Sequence, residues 1–237
     1  ICWDGAVTPS PWHGVTSVIG GNCGVGIAPC LPQAREVAMH DLVNVESIPF
    51  DVLKRGITWD WETFPEFLDA AERRGPSVNL GFMAPLTPFR HYVMGDESIE
   101  RAANDAEITQ ITALLSGALD AGAFGISSTI LNQHLGYNGR PLACRNASRA
   151  ELKSYANLLR DKGRGAIEIA LTRQISVLDE EQVELLDFLL DESERPVTFI
   201  AMFDREDLPD ALRTTMARIQ PMIAKGARPQ TSPLPLT

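Results

Sequence analysis

Short apolar runs rich in β-branched residues alternate with longer amphipathic stretches along this 237-residue chain. This alternation is the sequence pattern of repeated strand–helix units. Residues 28–58 lack it and are expected to be irregular, and Pro85 and Pro88 predict a loop after the second strand. The pattern predicts strands over residues 15–19, 78–82, 123–127, 166–171 and 197–202, a further strand beginning near 229–232, and helices over 63–74, 105–121, 148–161, 180–190 and 207–224.

Successive units of this kind place their strands in parallel, because strand–helix–strand crossovers are right-handed. Two closures remain open: a doubly wound open sheet and an incomplete eight-stranded barrel. An open sheet usually carries a phosphate-binding glycine loop after its first strand, but residues 20–26 match neither the dinucleotide nor the P-loop spacing. We therefore predict an α/β fold, a partial parallel (β/α) barrel of TIM type that forms a single domain over residues 1–237.

The charge balance argues against nucleic acid as a partner. The chain carries 21 Lys and Arg against 31 Asp and Glu, a net charge of −10, whereas nucleic-acid binding requires a basic stripe. No run of 18 apolar residues predicts a membrane span, and four irregularly spaced cysteines favour a reducing compartment. We expect a cytoplasmic protein that binds a small molecule.

Four motifs occur in order along the chain: HGVTSVIGGNCGVGIAP over residues 13–29, WDWETFP over 59–65, RHYVMG over 90–95 and ALDAGAFGISS over 118–128. Together they closely resemble the signature motifs of the N-acyl-D-amino-acid deacylase, or D-aminoacylase, branch of the amidohydrolase superfamily. The similarity extends from about residue 3 to residue 195. It implies a metal-dependent (β/α) barrel that hydrolyses carbon–nitrogen bonds other than peptide bonds, typically releasing a D-amino acid from an N-acyl-D-amino acid.

The resemblance assigns Cys23 as a zinc ligand, with Asn22 and Gly24 shaping its loop. In that branch zinc polarises the amide carbonyl and lowers the pKa of a bound water. The residue types agree, because a thiolate binds zinc strongly and flanking glycines let the backbone bring it to the carboxyl end of a strand. The alternative is that Cys23 is a small buried side chain beside a tight turn. Cys2, Cys30 and Cys144 have no motif around them and are expected to be structural.

The long polar loop after the third strand supplies two candidate substrate-binding residues, because loops at the carboxyl ends of barrel strands face the site. His134 is one candidate. Arg140 is the other, since a guanidinium can hold a substrate carboxylate through two hydrogen bonds. The alternatives are a hydrogen-bonded packing histidine and a solvated loop arginine.

The chain departs from the family pattern in its metal ligands. The resemblance places a metal-binding HxH pair upstream of Cys2, two further histidines near residues 166–173 and 197–204, and the catalytic aspartate beyond Thr237. None of these is found in the sequence, so we assign no catalytic base. One hypothesis is that other side chains replace the missing ligands, the candidates being Glu168, Thr172, Arg173 and Asp204.

A barrel that lacks its first and last strands has two open edges, which favour pairing with another chain. We therefore expect a fragment-like, homo-oligomeric protein that by itself is inactive in the family's reaction. Two alternatives remain: a metal-free barrel relative that binds a small ligand or serves as an assembly subunit, and a nucleotide-dependent enzyme on an open sheet.

Overall fold

The computed structural model describes residues 4–173, 177–200 and 206–230, in which parallel strands alternate with helices. None of the described helices combines the length and the apolar character needed to cross a bilayer. The strands are β1 Ser17–Gly20, β2 Asn79–Phe82, β3 Ala84–Pro85, β4 Gly125–Thr129, β5 Ala166–Ala170, β6 Val197–Ile200 and β7 Ala227–Pro229. The α-helices are α1 Arg35–Glu46, α2 Phe50–Gly56, α3 Phe64–Arg73, α4 Leu86–Met94, α5 Asp105–Ala121, α6 Arg149–Lys162, α7 Glu180–Ser193 and α8 Ala211–Ile223.

The strands follow one another in space in the same order as in the chain. One sheet pairs β1 with β2, and a second has the order β3-β4-β5-β6-β7, all parallel. The Phe124 amide donates to the Phe82 carbonyl oxygen at 2.8 Å and links the two sheets. The order never reverses, so the described strands lack the switch point at which doubly wound sheets bind nucleotides. They also form no closed sheet, and the predicted barrel stays a prediction.

The helices that the sequence predicted best begin with a capping box, in which the N-cap side chain and the third helical residue satisfy each other's backbone amides. Such boxes join Thr63 to Glu66, Asn104 to Glu107, Ser148 to Glu151 and Asp179 to Gln182. The observed bounds of α5 are those predicted. The other predicted strands and helices are present, most with ends shifted by a few residues. Residues 201–202 of the strand predicted over 197–202, and the part of the last predicted strand beyond residue 230, lie outside the described residues.

Two predictions of irregular structure were wrong. Residues 28–58 contain α1 and α2, and α1 escaped detection because its apolar side chains do not gather on one face; it buries Ala38 and Met39 beside the carboxylate of Asp41. The segment with Pro85 and Pro88 forms the beginning of α4. Pro85 is its N-cap and Pro88 lies in the first turn, where a missing backbone N–H breaks no hydrogen bond.

A buried ion pair fixes α4 against α6. Arg90 and Glu151 are both fully buried, and their side chains are hydrogen-bonded to each other. Arg90 also donates to the Arg101 carbonyl oxygen at 2.8 Å, while Glu151 accepts the Ala103 amide at 2.8 Å and the Ser148 amide at 3.1 Å. The motif arginine at position 90 therefore has a structural role, holding α4 against α6.

Candidate functional site

The loop after β1 has a backbone that few side chains permit. Cys23 has φ 58° and Gly24 has φ 70°, both in the left-handed region. A Cβ atom on Gly24 would lie 2.8 Å from the Cys144 sulfur and 2.8 Å from the Ser128 Cα. Position 24 therefore requires glycine, and a non-glycine residue at positive φ is the kind of strained backbone that often marks functional sites.

Two strands hold this loop across their shared face. The Cys23 amide donates to Glu168 Oε2 at 2.6 Å, and the Gly24 amide donates to Ser127 Oγ at 3.2 Å. The Ser127 hydroxyl in turn donates to the Gly21 carbonyl oxygen. Ser127 on β4 and Glu168 on β5 are partners in the sheet register, so their side chains are neighbours on one face. These hydrogen bonds attach residues 21–24, hereafter the cysteine loop, to β4 and β5.

Glu168 is a buried carboxylate with unused hydrogen-bonding capacity. Its residue is 3% exposed, and its Oε1 has no hydrogen-bond partner among the described residues. The hydroxyl of Thr198, the register partner of Glu168 on β6, is likewise buried with no hydrogen-bond partner among the described residues. Burial raises the pKa of Glu168 to about 7, opposed by the hydrogen bond from the Cys23 amide. Buried polar groups without a hydrogen-bond partner are uncommon in folded proteins and often have a functional explanation.

The Cys23 thiol lies in an acidic environment. Its pKa is raised well above the ordinary value, first by burial and then by the carboxylates of Glu168 and Glu46 and by the Cys144 thiol. Without a cation beside it, the thiol stays protonated at neutral pH and is a poor nucleophile. Burial and the neighbouring acids thus disfavour the thiolate that either a nucleophile or a metal ligand requires.

His134 lies beyond the carboxyl end of β4. Its Nδ1 is 2.9 Å from the Thr129 hydroxyl, and Thr129 follows Ser127 by two positions, hence on the same face of the sheet. Burial, and secondly the charge of Arg145, lower the pKa of His134 and favour its neutral form. Among the described contacts none joins His134 to Cys23, and its predicted role toward substrate stays a prediction.

Arg140 lies in the same long loop, but its ion-pair partner lies outside the cysteine loop. It forms an exposed ion pair with Glu100 and borders a cavity of about 170 Å³ beside α1. The loop is fastened to α1 where Asp41 accepts the Tyr137 amide at 2.8 Å and Asn44 donates to the Gly136 carbonyl oxygen at 2.5 Å. A substrate carboxylate at Arg140 would therefore compete with Glu100.

Of the four candidate replacement ligands, Glu168 contacts the cysteine loop. Thr172 donates to the Ile200 carbonyl oxygen at 3.0 Å, and Arg173 pairs with Glu181 at 2.6 Å, so both make contacts away from Cys23. The described contacts give no support to these two as ligands, and Asp204 lies outside the described residues, as does Cys2. Cys30 and Cys144 are buried free thiols, as expected of structural residues.

A serine–histidine–aspartate arrangement, which no sequence pattern indicated, also occurs where α1 meets α4 and the turn Gly95–Ile99 that follows α4. The Ser98 oxygen lies 2.7 Å from His91 Nδ1, and His91 Nε2 lies 3.7 Å from Asp41. Ser98 is fully buried, however, and its hydroxyl donates to the Gly95 carbonyl oxygen at 2.7 Å. A nucleophile must reach substrate, so these residues stabilise the α1–α4 contact.

A larger cavity of about 440 Å³ opens beside the cysteine loop. Asn22 lines it on the loop side, and Glu46 contributes a carboxylate. The rest of the wall is mainly apolar and includes Val25, Ile27, Leu42, Ile48, Phe64, Phe67, Phe82 and Met83. The cavity has the size and lining of a site for a small, partly apolar molecule.

No family model matches the chain. It is 36% identical over 122 residues to a D-aminoacylase of Alcaligenes xylosoxydans xylosoxydans, and 35% identical over 120 residues to an N-acyl-D-aspartate deacylase of the same organism. This chain is a homologue of the D-aminoacylases. The first match covers 52% of the chain and the second 51%, and each covers 22% of the relative. The matched half of the chain thus spans about a fifth of the length of these relatives.

Parts of solved D-aminoacylase structures superpose on this chain and share its arrangement of helices and parallel strands. One, studied for its binuclear metal centre, superposes with a TM-score of 0.74 at 27% identity, covering 98% of this chain and 44% of its own. N-acyl-D-glutamate deacylase from Bordetella bronchiseptica, complexed with zinc and a phosphonate inhibitor, gives a TM-score of 0.68 at 20% identity, with coverage of 95% and 43%. At that identity the second match supports the fold alone.

Proposed function

We propose that this chain provides part of a metal-dependent hydrolase of carbon–nitrogen bonds other than peptide bonds, acting on N-acyl-D-amino acids, on a partial (β/α) barrel domain. The observation that carries the proposal is the cysteine loop, which matches the family motif and is held by Ser127 and Glu168 across β4 and β5. Homology to D-aminoacylases and the unreversed strand order support it.

The described residues fit a metal centre of the family type incompletely. Cys23 and Glu168 can donate to a cation, but no group of three His, Cys, Asp or Glu side chains within the described residues could hold a metal ion. Zinc sites in proteins normally have three or four protein ligands. We therefore derive no catalytic step through a metal from these residues.

The chain's own residues have definable tasks in such an enzyme. Ser127 and Glu168 position the cysteine loop, and the cavity of about 440 Å³ is suited to an apolar part of a small substrate. His134, held neutral by burial, would donate or accept a hydrogen bond beside β4, and Arg140 would bind a carboxylate after release from Glu100. These substrate roles rest on position in the fold and on the family resemblance.

The test measures binding and hydrolysis of N-acetyl-D-methionine, N-acetyl-D-aspartate and N-acetyl-D-glutamate by the purified chain, with the L-enantiomers as controls. Because its metal ligands are incomplete, the chain alone is expected to bind without turnover: thermal stabilisation by the D-substrates that exceeds stabilisation by the L-enantiomers, needs zinc, is abolished by a chelator, is lost in Cys23→Ala and is retained in Cys30→Ala. Cys30 is the matched control because it is also a buried free thiol. Absence of hydrolysis, together with stabilisation by an acyl amino acid that Cys23→Ala leaves unchanged, would instead identify a non-catalytic ligand binder.

A further inference from the structure

Three polar side chains meet where α1, α4 and the turn after α4 pack together. The Ser98 oxygen lies 2.7 Å from His91 Nδ1 and 2.7 Å from the Gly95 carbonyl oxygen. At the other end of the ring, His91 Nε2 lies 3.7 Å from Asp41 Oδ2. Ser98 and Asp41 are buried, and His91 is partly exposed. Buried polar atoms in native folds are hydrogen-bonded, so the hydrogens of this cluster have to fit all three contacts.

The number of hydrogens decides which protonation state fits this geometry. A serine hydroxyl has one hydrogen and a carbonyl oxygen only accepts, so Ser98 donates to Gly95. The second 2.7 Å contact of Ser98 is then a hydrogen bond only if His91 Nδ1 carries a hydrogen. A neutral ring protonated at Nδ1 leaves Nε2 bare against the Asp41 carboxylate, so that two acceptors face each other. While Asp41 is ionised, only the imidazolium form makes all three contacts favourable.

Asp41 connects this cluster to the loop that follows β4. Its Oδ1 accepts the Tyr137 amide at 2.8 Å, so the carboxylate that faces His91 also anchors the loop. Gly136 packs against the same oxygen, because a Cβ atom at position 136 would overlap it. A change in the position of Asp41 therefore acts directly on the loop backbone.

The other charged groups near His91 are already paired or acidic. Those that line the same cavity of about 170 Å³, or neighbour His91 on α4, are Asp41, Asp96, Arg140 and Arg90. Both arginines have carboxylate partners, Glu100 and Glu151. His40 on α1 faces the Tyr137 ring instead, with centroids 4.9 Å apart. Among the described contacts, a protonated His91 is thus the cation that faces Asp41.

We propose that Asp41, His91 and Ser98 form a pH-sensitive clamp that fastens the loop of residues 136–140 to α1 while His91 is protonated. Histidine is the side chain that exchanges a proton near neutral pH. Nδ1 is held by the enclosed Ser98, whereas Nε2 lies toward the cavity, so the Nε2 proton is the one released to water as pH rises. Asp41 then faces a bare nitrogen and loses its counter-charge, which weakens its hold on the Tyr137 amide.

Hydrogen exchange of the Tyr137 amide tests the clamp in the purified chain and requires no enzymatic activity. Comparison of variants at the same pH cancels the intrinsic pH dependence of exchange. We expect protection in the wild type to exceed that in His91→Gln by about tenfold at pH 5.5, the effect of one hydrogen bond to a charged group. The excess should disappear at pH 8.5. His40→Gln is the matched control, because His40 also lies beside Tyr137, and it should keep the pH dependence of the wild type.

Two results would overturn the clamp: a ratio of wild-type to His91→Gln protection that is the same at both pH values, and a pH dependence that His40→Gln abolishes. If His91→Gln does not fold, nitrogen-15 NMR of the wild-type imidazole decides. A His91 ring with both nitrogens protonated at pH 5.5 and Nδ1 still protonated at pH 8.5 supports the proposal. An Nδ1 without a proton at pH 8.5 overturns it, because Ser98 would then donate to the ring. None of these readouts depends on the proposed hydrolase function.

Discussion

Gly24 shows how a single backbone position controls the cysteine loop. Its positive φ suits glycine, and its missing side chain leaves room for the Cys144 sulfur and the Ser128 backbone. Both conditions must hold for the Cys23 and Gly24 amides to reach Glu168 and Ser127. The geometry of the site is therefore sensitive to one methyl group.

Gly24→Ala is expected to lower the free energy of unfolding by about 2–4 kcal/mol, the sum of left-handed strain and crowding. Gly139→Ala is the matched control, because Gly139 has the same φ of 70° with nothing within 4 Å of the added Cβ. It should cost about 1 kcal/mol. Urea denaturation of both variants measures the difference, and equal losses would show that crowding at position 24 is absent.

The raised pKa of Glu168 predicts how stability changes with pH in the metal-free chain. The group is protonated in the fold up to a pKa of about 7, against an ordinary value of 4.5. Between pH 4.5 and 7 Glu168 ionises in the unfolded chain but stays protonated in the fold. The free energy of unfolding therefore falls progressively over this range, by about 3 kcal/mol in total. Below the lower value the effect disappears.

Glu168→Gln should remove this dependence, so its stability should gain on the wild type as pH rises from 5 to 8. The control is Glu184→Gln on an exposed position of α7, which removes the same charge. Thermal unfolding in chelator at pH 5, 6, 7 and 8 provides the measurement. Parallel pH profiles for the two variants would contradict the raised pKa.

At the scale of elements, the capping boxes of α5 and α6 have the same sequence logic but different surroundings. Glu107 of α5 pairs with Arg101, whose side chain is 40% exposed, whereas Glu151 of α6 pairs with the fully buried Arg90. An exposed partner can turn to water when its ion pair is lost. A buried one cannot, so the two glutamates should differ sharply in their contribution to stability.

Glu151→Gln is accordingly expected to cost about 3–5 kcal/mol, since it leaves the buried Arg90 charge uncompensated. Glu107→Gln, which also removes a capping-box carboxylate, should cost about 1 kcal/mol. Chemical denaturation of the two variants tests the contrast. If both lose about 1 kcal/mol, the buried pair does not hold α4 on α6 as the structure indicates.

Sequence patterns predicted the elements that are stabilised by residues close to them in the chain. They missed elements that depend on contacts with residues far away in the chain. The 3.6-residue stripe and the Asn104–Glu107 capping box define α5 within its own 17 residues. Helix α1 instead depends on polar contacts with residues 136–137, nearly a hundred positions away. No short window of the sequence contains that partner.

The candidate site divides in the same way. Cys23 and Gly24 stand in a continuous motif and could be predicted from it. Glu168 is a single acidic residue in the apolar strand AIEIA, and a carboxylate there can point toward a site or toward solvent with equal ease in the sequence. The contact of Glu168 with the cysteine loop became evident only from the register of β4 with β5 and from the position of the loop.

At the scale of the whole molecule, β1 has a strand neighbour on one side only within the described residues. Ile19 on this strand is 49% exposed, and Val15 and Trp12 just before it are also exposed. An apolar strand edge with free backbone groups favours pairing with another chain. We propose that this edge mediates the predicted self-association.

Ile19→Lys should therefore shift the chain toward the monomer in sedimentation velocity experiments, because a charge on an edge strand opposes pairing. Val52→Lys is the control, since Val52 is 43% exposed but lies on α2. A wild-type chain that sediments as a monomer at every concentration would refute the proposal. So would an Ile19→Lys variant that associates like the wild type.

The hydrogen bond from Cys23 to Glu168 spans 145 positions of the chain. At a synthesis rate of about 5–20 residues per second, roughly 7–29 s pass between the emergence of the thiol and that of its carboxylate neighbour. During that interval the cysteine loop can contact β1 and later β4, but not β5. In the growing polypeptide the cysteine is thus a free thiol open to oxidants and passing metal ions. The Cys23 amide gains its Glu168 partner only when residue 168 has left the ribosome.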